Sequence, residues 1–301
     1  MVAWITIAGA LLQCWRTALQ QKLRHQLSVN AAAFVRFLYG APTALLIFLA
    51  GLAITGAPVP VPVPTVRFFL YCVAGGLCQI VATNLLIMSF GYRNFAVGTA
   101  YGKTEAAQSA VIALIVLHEV LQAISRAGIA LGLCGVMTLS LVGRGMKPRD
   151  ILAATVQPAA LCGLGAGFLF ACTTVFVKLA NQSIPGPSLV VKALFAVVLT
   201  NSLQILMQGG WLLWREPSQL RKTFTTWRSS MWAGTLSGCG SACWYTAFAL
   251  ADVALVRSVG QIEIVFTVLF SQFYLKEQLK KGDMAGLVLI VAGVLLVVLR
   301  H

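Results

Sequence analysis

Apolar residues run along this chain in stretches of about twenty, the length that crosses a bilayer's hydrocarbon as a helix, and polar residues are confined to short intervals between them. The stretches are Val2 to Gln21, Asn30 to Ala53, Val66 to Gly91, Ala96 to Leu117, Gln122 to Gly143, Gln157 to Ala180, Pro187 to Gln208, Met231 to Leu250, Ala254 to Leu275 and Gly282 to Leu299. The pattern predicts an all-α integral membrane protein of ten transmembrane helices, with little chain left for a soluble domain. The first stretch has no basic region before it and contains Arg16, so it reads as a retained helix and not as a cleaved signal. Prolines alternate from Pro58 to Pro64, which predicts a stiff spacer between the second and third helices.

The polar positions repeat. Moved by 158 positions, the separation of Glu105 from Glu263, the segment Ser89 to Val136 lies without a gap on Ala247 to Val294. Gly102 then meets Gly260, Glu119 meets Glu277, Gly128 meets Gly286 and Gly135 meets Gly293. Apolar residues match by chance, whereas acids and glycines held at one spacing mark a duplication. Nearer the N-terminus the spacing is 156, pairing Lys22 with Lys178 and Arg36 with Lys192. The chain therefore divides into two five-helix repeats, residues 1–146 and 147–301, joined through Gly143 to Asp150. Five is odd, so the second repeat enters the bilayer from the opposite side, the inverted-repeat plan of secondary transporters, whose substrate sites lie at the repeat interface.

Composition narrows the partners. Hydrophobic residues make up 59% and charged residues 10% of the chain, against about 25% charge in soluble domains. The net charge of +14 resides at helix ends and in short connections, which favours anionic lipid headgroups over nucleic acid. The eight cysteines all fall in predicted helices without a CxxC pair, and His118 and His25 are terminal, so no metal or other cofactor is expected. No HExxH, DxxD or Ser/His/Asp pattern points to an enzyme.

An acid early in the ninth helix, then LKEQL (Leu275 to Leu279), then a last helix marked by Gly286 and Gly293, resembles the EamA-type repeat of the drug/metabolite transporter superfamily. The first half carries its own copy in LHEVL (Leu117 to Leu121) with Gly128 and Gly135, and FVRFL (Phe34 to Leu38) and YTAFAL (Tyr245 to Leu250) extend the likeness over the chain. The resemblance implies a ten-helix exporter or exchanger of small metabolites. It implies cytoplasmic termini, whereas the distribution of Lys and Arg over the connections places both termini outside, and the two readings conflict. The family's proline after the ninth-helix acid is replaced here by Ile264, and by Ala106 in the first copy, which removes the usual cause of a kink.

Glu105 and Glu263 each lie nine residues inside a predicted span, roughly 13 Å deep, where a carboxylate facing lipid costs at least about 2.5 kcal/mol. Three readings compete: cavity-lining acids, one of which exchanges a proton; acids held permanently by buried bases such as Lys103, Arg16 or Arg36; and protonated acids bonded to a neighbouring helix's backbone. The cavity reading is preferred because the two acids occupy symmetry-related places. Lys103, two residues before Glu105, is its expected neutralising partner, which leaves Glu263 as the titrating candidate. Gln13, Arg16 and Gln20 form a polar stripe on the first helix, and Arg16 and Arg36 suit a substrate carboxylate or phosphate, with the membrane boundary as their alternative place. Gln79, Asn84, Gln108, Trp244 and Tyr245 complete the candidate cavity. Glu119 and Glu277 read as capping residues.

The expectation is thus a secondary active transporter of amino acids or related small organic solutes, multi-pass in the bacterial inner (plasma) membrane and functional as a monomer. It exports by alternating access with proton coupling. Solute exchange without proton coupling and a lipid-carrier flippase are the alternatives.

Overall fold

In the computed structural model, which describes residues 1–54, 62–89, 101–119, 123–140, 156–186, 188–267, 269 and 281–298, the apolar stretches fold as helices, and no strand occurs among the described residues. With no water to satisfy backbone N–H and C=O groups in a bilayer, a segment must satisfy them internally. The helices are α1 (Val2–Leu23), α2 (Val29–Leu38), α3 (Gly40–Ile54), α4 (Val66–Ser89), α5 (Glu105–Leu117), α6 (Ala123–Ser140), α7 (Pro158–Ser183), α8 (Leu189–Arg215), α9 (Pro217–Thr225), α10 (Trp227–Leu250), α11 (Val253–Gly260) and α12 (Lys281–Val298).

Among the described residues, five segments are long and apolar enough to cross a membrane: α1, α2 with α3 (Val29–Ile54), α4, α7 and α8. α5, most of α6 and most of α12 are shorter apolar helices. α10 has 24 residues, and its serines and glycines lower its hydropathy without shortening it. The predicted span Asn30 to Ala53 is divided at Tyr39 into α2 and α3, and the region after the seventh span also differs from the pattern in the sequence. α8 continues through Trp211 and Trp214 to Arg215, and an amphipathic α9 follows, opened by Pro217 in the first turn, where a missing N–H costs nothing. The connection 143–150, the LKEQL segment and most of the proline spacer lie outside the described residues.

The helices gather into two compact units, each drawing on both halves of the sequence. Unit 1 comprises Met1–Asn84 and Thr173–Ala251, and unit 2 comprises Leu85–Cys172 and Asp252–His301.

Unit 1 packs through small residues, as helices in lipid do when the hydrophobic effect does not drive them together. A Cβ on Gly238 would lie 2.7 Å from the Gly40 carbonyl oxygen, and one on Gly9 would lie 3.1 Å from Cys243 Cβ, so α10 approaches both α3 and α1 at backbone distance. Serine caps start α2 and α8: Ser28 Oγ accepts from the Ala31 N–H and Ser188 Oγ from the Val191 N–H, each at 3.3 Å. α2 ends at Tyr39, whose hydroxyl donates to the Thr223 carbonyl of α9 at 3.0 Å.

Unit 2 is built on a glycine crossing of α6 with α12. A Cβ on Gly293 would lie 2.7 Å from the Gly128 carbonyl oxygen, and one on Gly135 would lie 2.8 Å from that of Gly286. The residue numbers rise on one helix as they fall on the other, so α6 and α12 run antiparallel. Val136, Ile264, Ile290 and Val294 form the apolar core beside the crossing.

Candidate functional site

Unit 2 carries two helix breaks. Helix pauses in a turn at residues 103–104 and again at 261–262, positions 158 apart, and in both places it resumes on a glutamate. Two backbone bonds at one break have counterparts at the other. The Thr104 N–H donates to the Tyr101 carbonyl at 3.2 Å and the Ile262 N–H to the Val259 carbonyl at 3.1 Å. The Gln108 N–H donates to the Thr104 carbonyl at 3.0 Å and the Phe266 N–H to the Ile262 carbonyl at 3.2 Å. Tightening to an i→i−3 bond interrupts the helix without proline. The glycines Gly102 and Gly260 precede the turns, and Gly167 of α7 lets a neighbouring backbone close on the first break, since a Cβ there would lie 3.0 Å from the Gly102 carbonyl oxygen.

Each glutamate therefore heads a helical segment, where the N-terminal end of the dipole favours a negative charge. Each also meets a base. Lys103 Nζ lies 2.9 Å from Glu263 Oε2, and Arg257 Nη2 lies 2.7 Å from Glu105 Oε1. The expected pairing of Lys103 with Glu105 is replaced by a crossed arrangement in which each acid takes its base from the other half of the sequence. The cause is geometric: Lys103 and Glu105 leave the chain in different directions, and Gln261, the counterpart of Lys103, packs its carboxamide against Gly132 of α6, where a Cβ would collide with it. Arg257 fills the role that Gln261 leaves open. Arg257 was not among the sequence candidates, although its place one turn before Gln261 in an apolar stretch was the available signal. Gln108 Nε2 donates to Thr104 Oγ1 at 2.7 Å, bracing the first break. The Val253 N–H donates to Glu119 Oε2 at 2.9 Å, so Glu119 caps α11.

Unit 1 holds the remaining candidates in a buried polar lattice. Arg36 is 3% exposed; its Nη1 donates to Thr83 Oγ1 at 2.8 Å and its Nε to Ser237 Oγ at 3.3 Å. Arg16 is buried too and donates to Thr17 Oγ1 at 3.4 Å, near enough to Arg36 for their charges to repel. Both arginines are enclosed by protein. Gln204 Nε2 donates to Gln79 Oε1 at 2.7 Å and to the Gly76 carbonyl at 3.2 Å. Gln208 Nε2 donates to Asn84 Oδ1 at 3.3 Å and to the Asn30 carbonyl at 3.0 Å. Gln204 and Gln208, one turn apart, were not among the sequence candidates, although amides at that spacing in an apolar helix signal a buried polar face. Trp244 is buried against Gly9 and stacks on Phe248 at 5.8 Å between ring centroids, a packing role. Tyr245 is buried beside Thr200 and within electrostatic reach of Arg36. Lys192, the counterpart of Arg36 at the spacing of 156, is buried and donates to the Ile184 carbonyl at 3.3 Å.

The sequence model described as the EamA-like transporter family matches residues 157–299. A solved structure titled "Crystal structure of protein" is similar over 100% of this chain and 99% of its own, with a TM-score of 0.69 and 17% identity, a likeness of fold. No curated protein matches the chain.

Proposed function

We propose that this chain, which belongs through residues 157–299 to the EamA-like transporter family of the drug/metabolite transporter superfamily, exports amino acids or related small organic solutes by alternating access. The chain is a multi-pass integral membrane protein of a family that transports small solutes. The finer reading has ten spans arranged as two inverted repeats, residues 1–146 and 147–301, working as a monomer in a bacterial inner membrane.

The observation that carries it is the pair of matched helix breaks at 103–104 and 261–262, each followed by an acid that meets a base across the repeat. Interrupted membrane helices in corresponding places of two repeats are the sequence-level pointer to a transporter's site, because non-helical backbone at that depth is tolerated only where protein encloses it or it lines a cavity. The antiparallel glycine crossing of α6 and α12 supports inversion, since an axis in the membrane plane turns one of these helices into the other.

In this mechanism Glu263 is the coupling group. A proton on its carboxylate releases Lys103, and the turn at 261–262 is then free to change with the site's exposure. Glu105 stays tied to Arg257. Efflux from liposomes loaded with an amino-acid mixture, followed by mass spectrometry, tests the reading. Proton-coupled export gives flux that follows an imposed pH gradient, with the coupling lost in Glu263→Gln. Flux that ignores the gradient and needs a counter-solute makes the protein an exchanger, and the absence of flux for every solute overturns the transport reading.

A further inference from the structure

We propose that unit 1 contains a site for the anionic group, a carboxylate or phosphate, of the transported solute, with the Arg36 guanidinium as its clamp; this deepens the transport reading above and rests on it for the identity of the occupant.

The charge inventory comes first. Among the residues of unit 1, Glu216 is the one acid in the sequence, and it accepts from Ser28 Oγ and Asn30 Nδ2 at the start of α9. The one carboxylate of its unit is thus engaged elsewhere, and among the described residues Arg36 makes no ion pair. Its protein acceptors are two neutral hydroxyls. Arg16 adds a second positive charge nearby. A buried guanidinium satisfied by hydroxyls alone keeps most of its desolvation cost, and a second cation raises that cost. An anion removes both.

The geometry suits a clamp. Thr83 on α4 and Ser237 on α10 bind the Nη1 and Nε sides and fix the plane of the guanidinium, and the Phe37 ring lies 5.0 Å from Cζ. Among the described residues the Nη2 side has no protein acceptor. A planar fork whose orientation is already set by two helices loses little freedom when it takes a two-oxygen anion, which is the advantage of arginine over lysine at such a place. Three helices that share no sequence proximity contribute to the clamp, so it belongs to the folded unit and not to a local motif.

Thermal melting of the purified full-length protein in a neutral maltoside detergent tests the site. The probes are succinate and inorganic phosphate, with neutral succinamide as the matched control, and bicelles of phosphatidylglycerol against phosphatidylcholine. The site predicts a saturable rise in Tm of a few degrees with succinate or phosphate and none with succinamide. Arg36→Gln removes the rise, Arg36→Lys weakens it at least tenfold in apparent affinity, and Arg228→Gln, an exposed base, keeps it. A rise with phosphatidylglycerol alone assigns the same Arg36 site to a lipid phosphate and overturns its assignment to the solute. The melting of Arg36→Gln without anion adds an independent reading: removal of an uncompensated charge leaves Tm at or above that of the native protein, whereas a purely structural arginine loses stability. An anion effect that survives Arg36→Gln and Arg36→Lys, or an equal effect of succinamide, overturns the site. Flux of neutral solutes without an anion effect on Tm leaves transport standing and removes the clamp; an Arg36-dependent anion effect without flux does the reverse.

Discussion

Lys103 reaches Glu263 at 2.9 Å although Glu105 stands two positions from it in the chain. The two halves of the sequence are thereby joined by charge at the points where their helices break, and the second acid is held by Arg257 in the same crossed sense. Charge reversal tests the partnership. Glu263→Lys faces Lys103 with a like charge and lowers stability and flux, Lys103→Glu combined with Glu263→Lys restores them, and Lys103→Glu combined with Glu105→Lys does not. A double-mutant cycle on Lys103 and Glu263 gives a coupling of roughly 0.5–3 kcal/mol, toward the lower end because Lys103 is 25% exposed.

Gly135 and Gly293 set the approach of α6 to α12. A Cβ at either position meets backbone within 2.8 Å, and backbone does not move aside as a flexible side chain does. Gly135→Ala and Gly293→Ala each cost about 1–3 kcal/mol, read as a fall in Tm, the usual range for overpacking. Gly210 in α8 has nothing within 4 Å of an added Cβ, so Gly210→Ala is neutral or stabilising by up to about 1 kcal/mol through helix propensity.

Gln204 is fully buried and binds Gln79 and the Gly76 carbonyl together. Gln204→Leu leaves a buried carbonyl and amide without their donor and costs about 1–3 kcal/mol. Gln204→Glu costs more, because the charge brings no donor for either acceptor. Melting of the three proteins side by side orders them as native, Leu, Glu.

The helices were legible because a bilayer imposes one length and one polarity on whatever crosses it, so α1, α4 and α7 match their apolar stretches to within a few residues. The amphipathic α9 was not legible, since its nine residues are too few for periodicity to separate them from a basic connection. The importance of Glu105 and Glu263 was readable from their cost in an apolar environment. Their partners were not, because which base reaches which acid depends on the turns at 103–104 and 261–262, and these arise without the proline that a reader of sequence looks for. Arg36 showed as a deep base, but only the fold reveals that its neighbours are hydroxyls, and only the division into units reveals how few acids surround it.

In the proposed mechanism an inverted duplication underlies the coupling, the breaks and the route of the solute, and sidedness tests it without knowledge of any substrate. Ala123 and Lys281, 158 positions apart, begin α6 and α12. In a variant without native cysteines, Ala123→Cys and Lys281→Cys are placed singly and exposed to a membrane-impermeant maleimide on sealed vesicles of known orientation. The duplication predicts that one cysteine labels only from outside and the other only from inside. Labelling of both from the same side contradicts it.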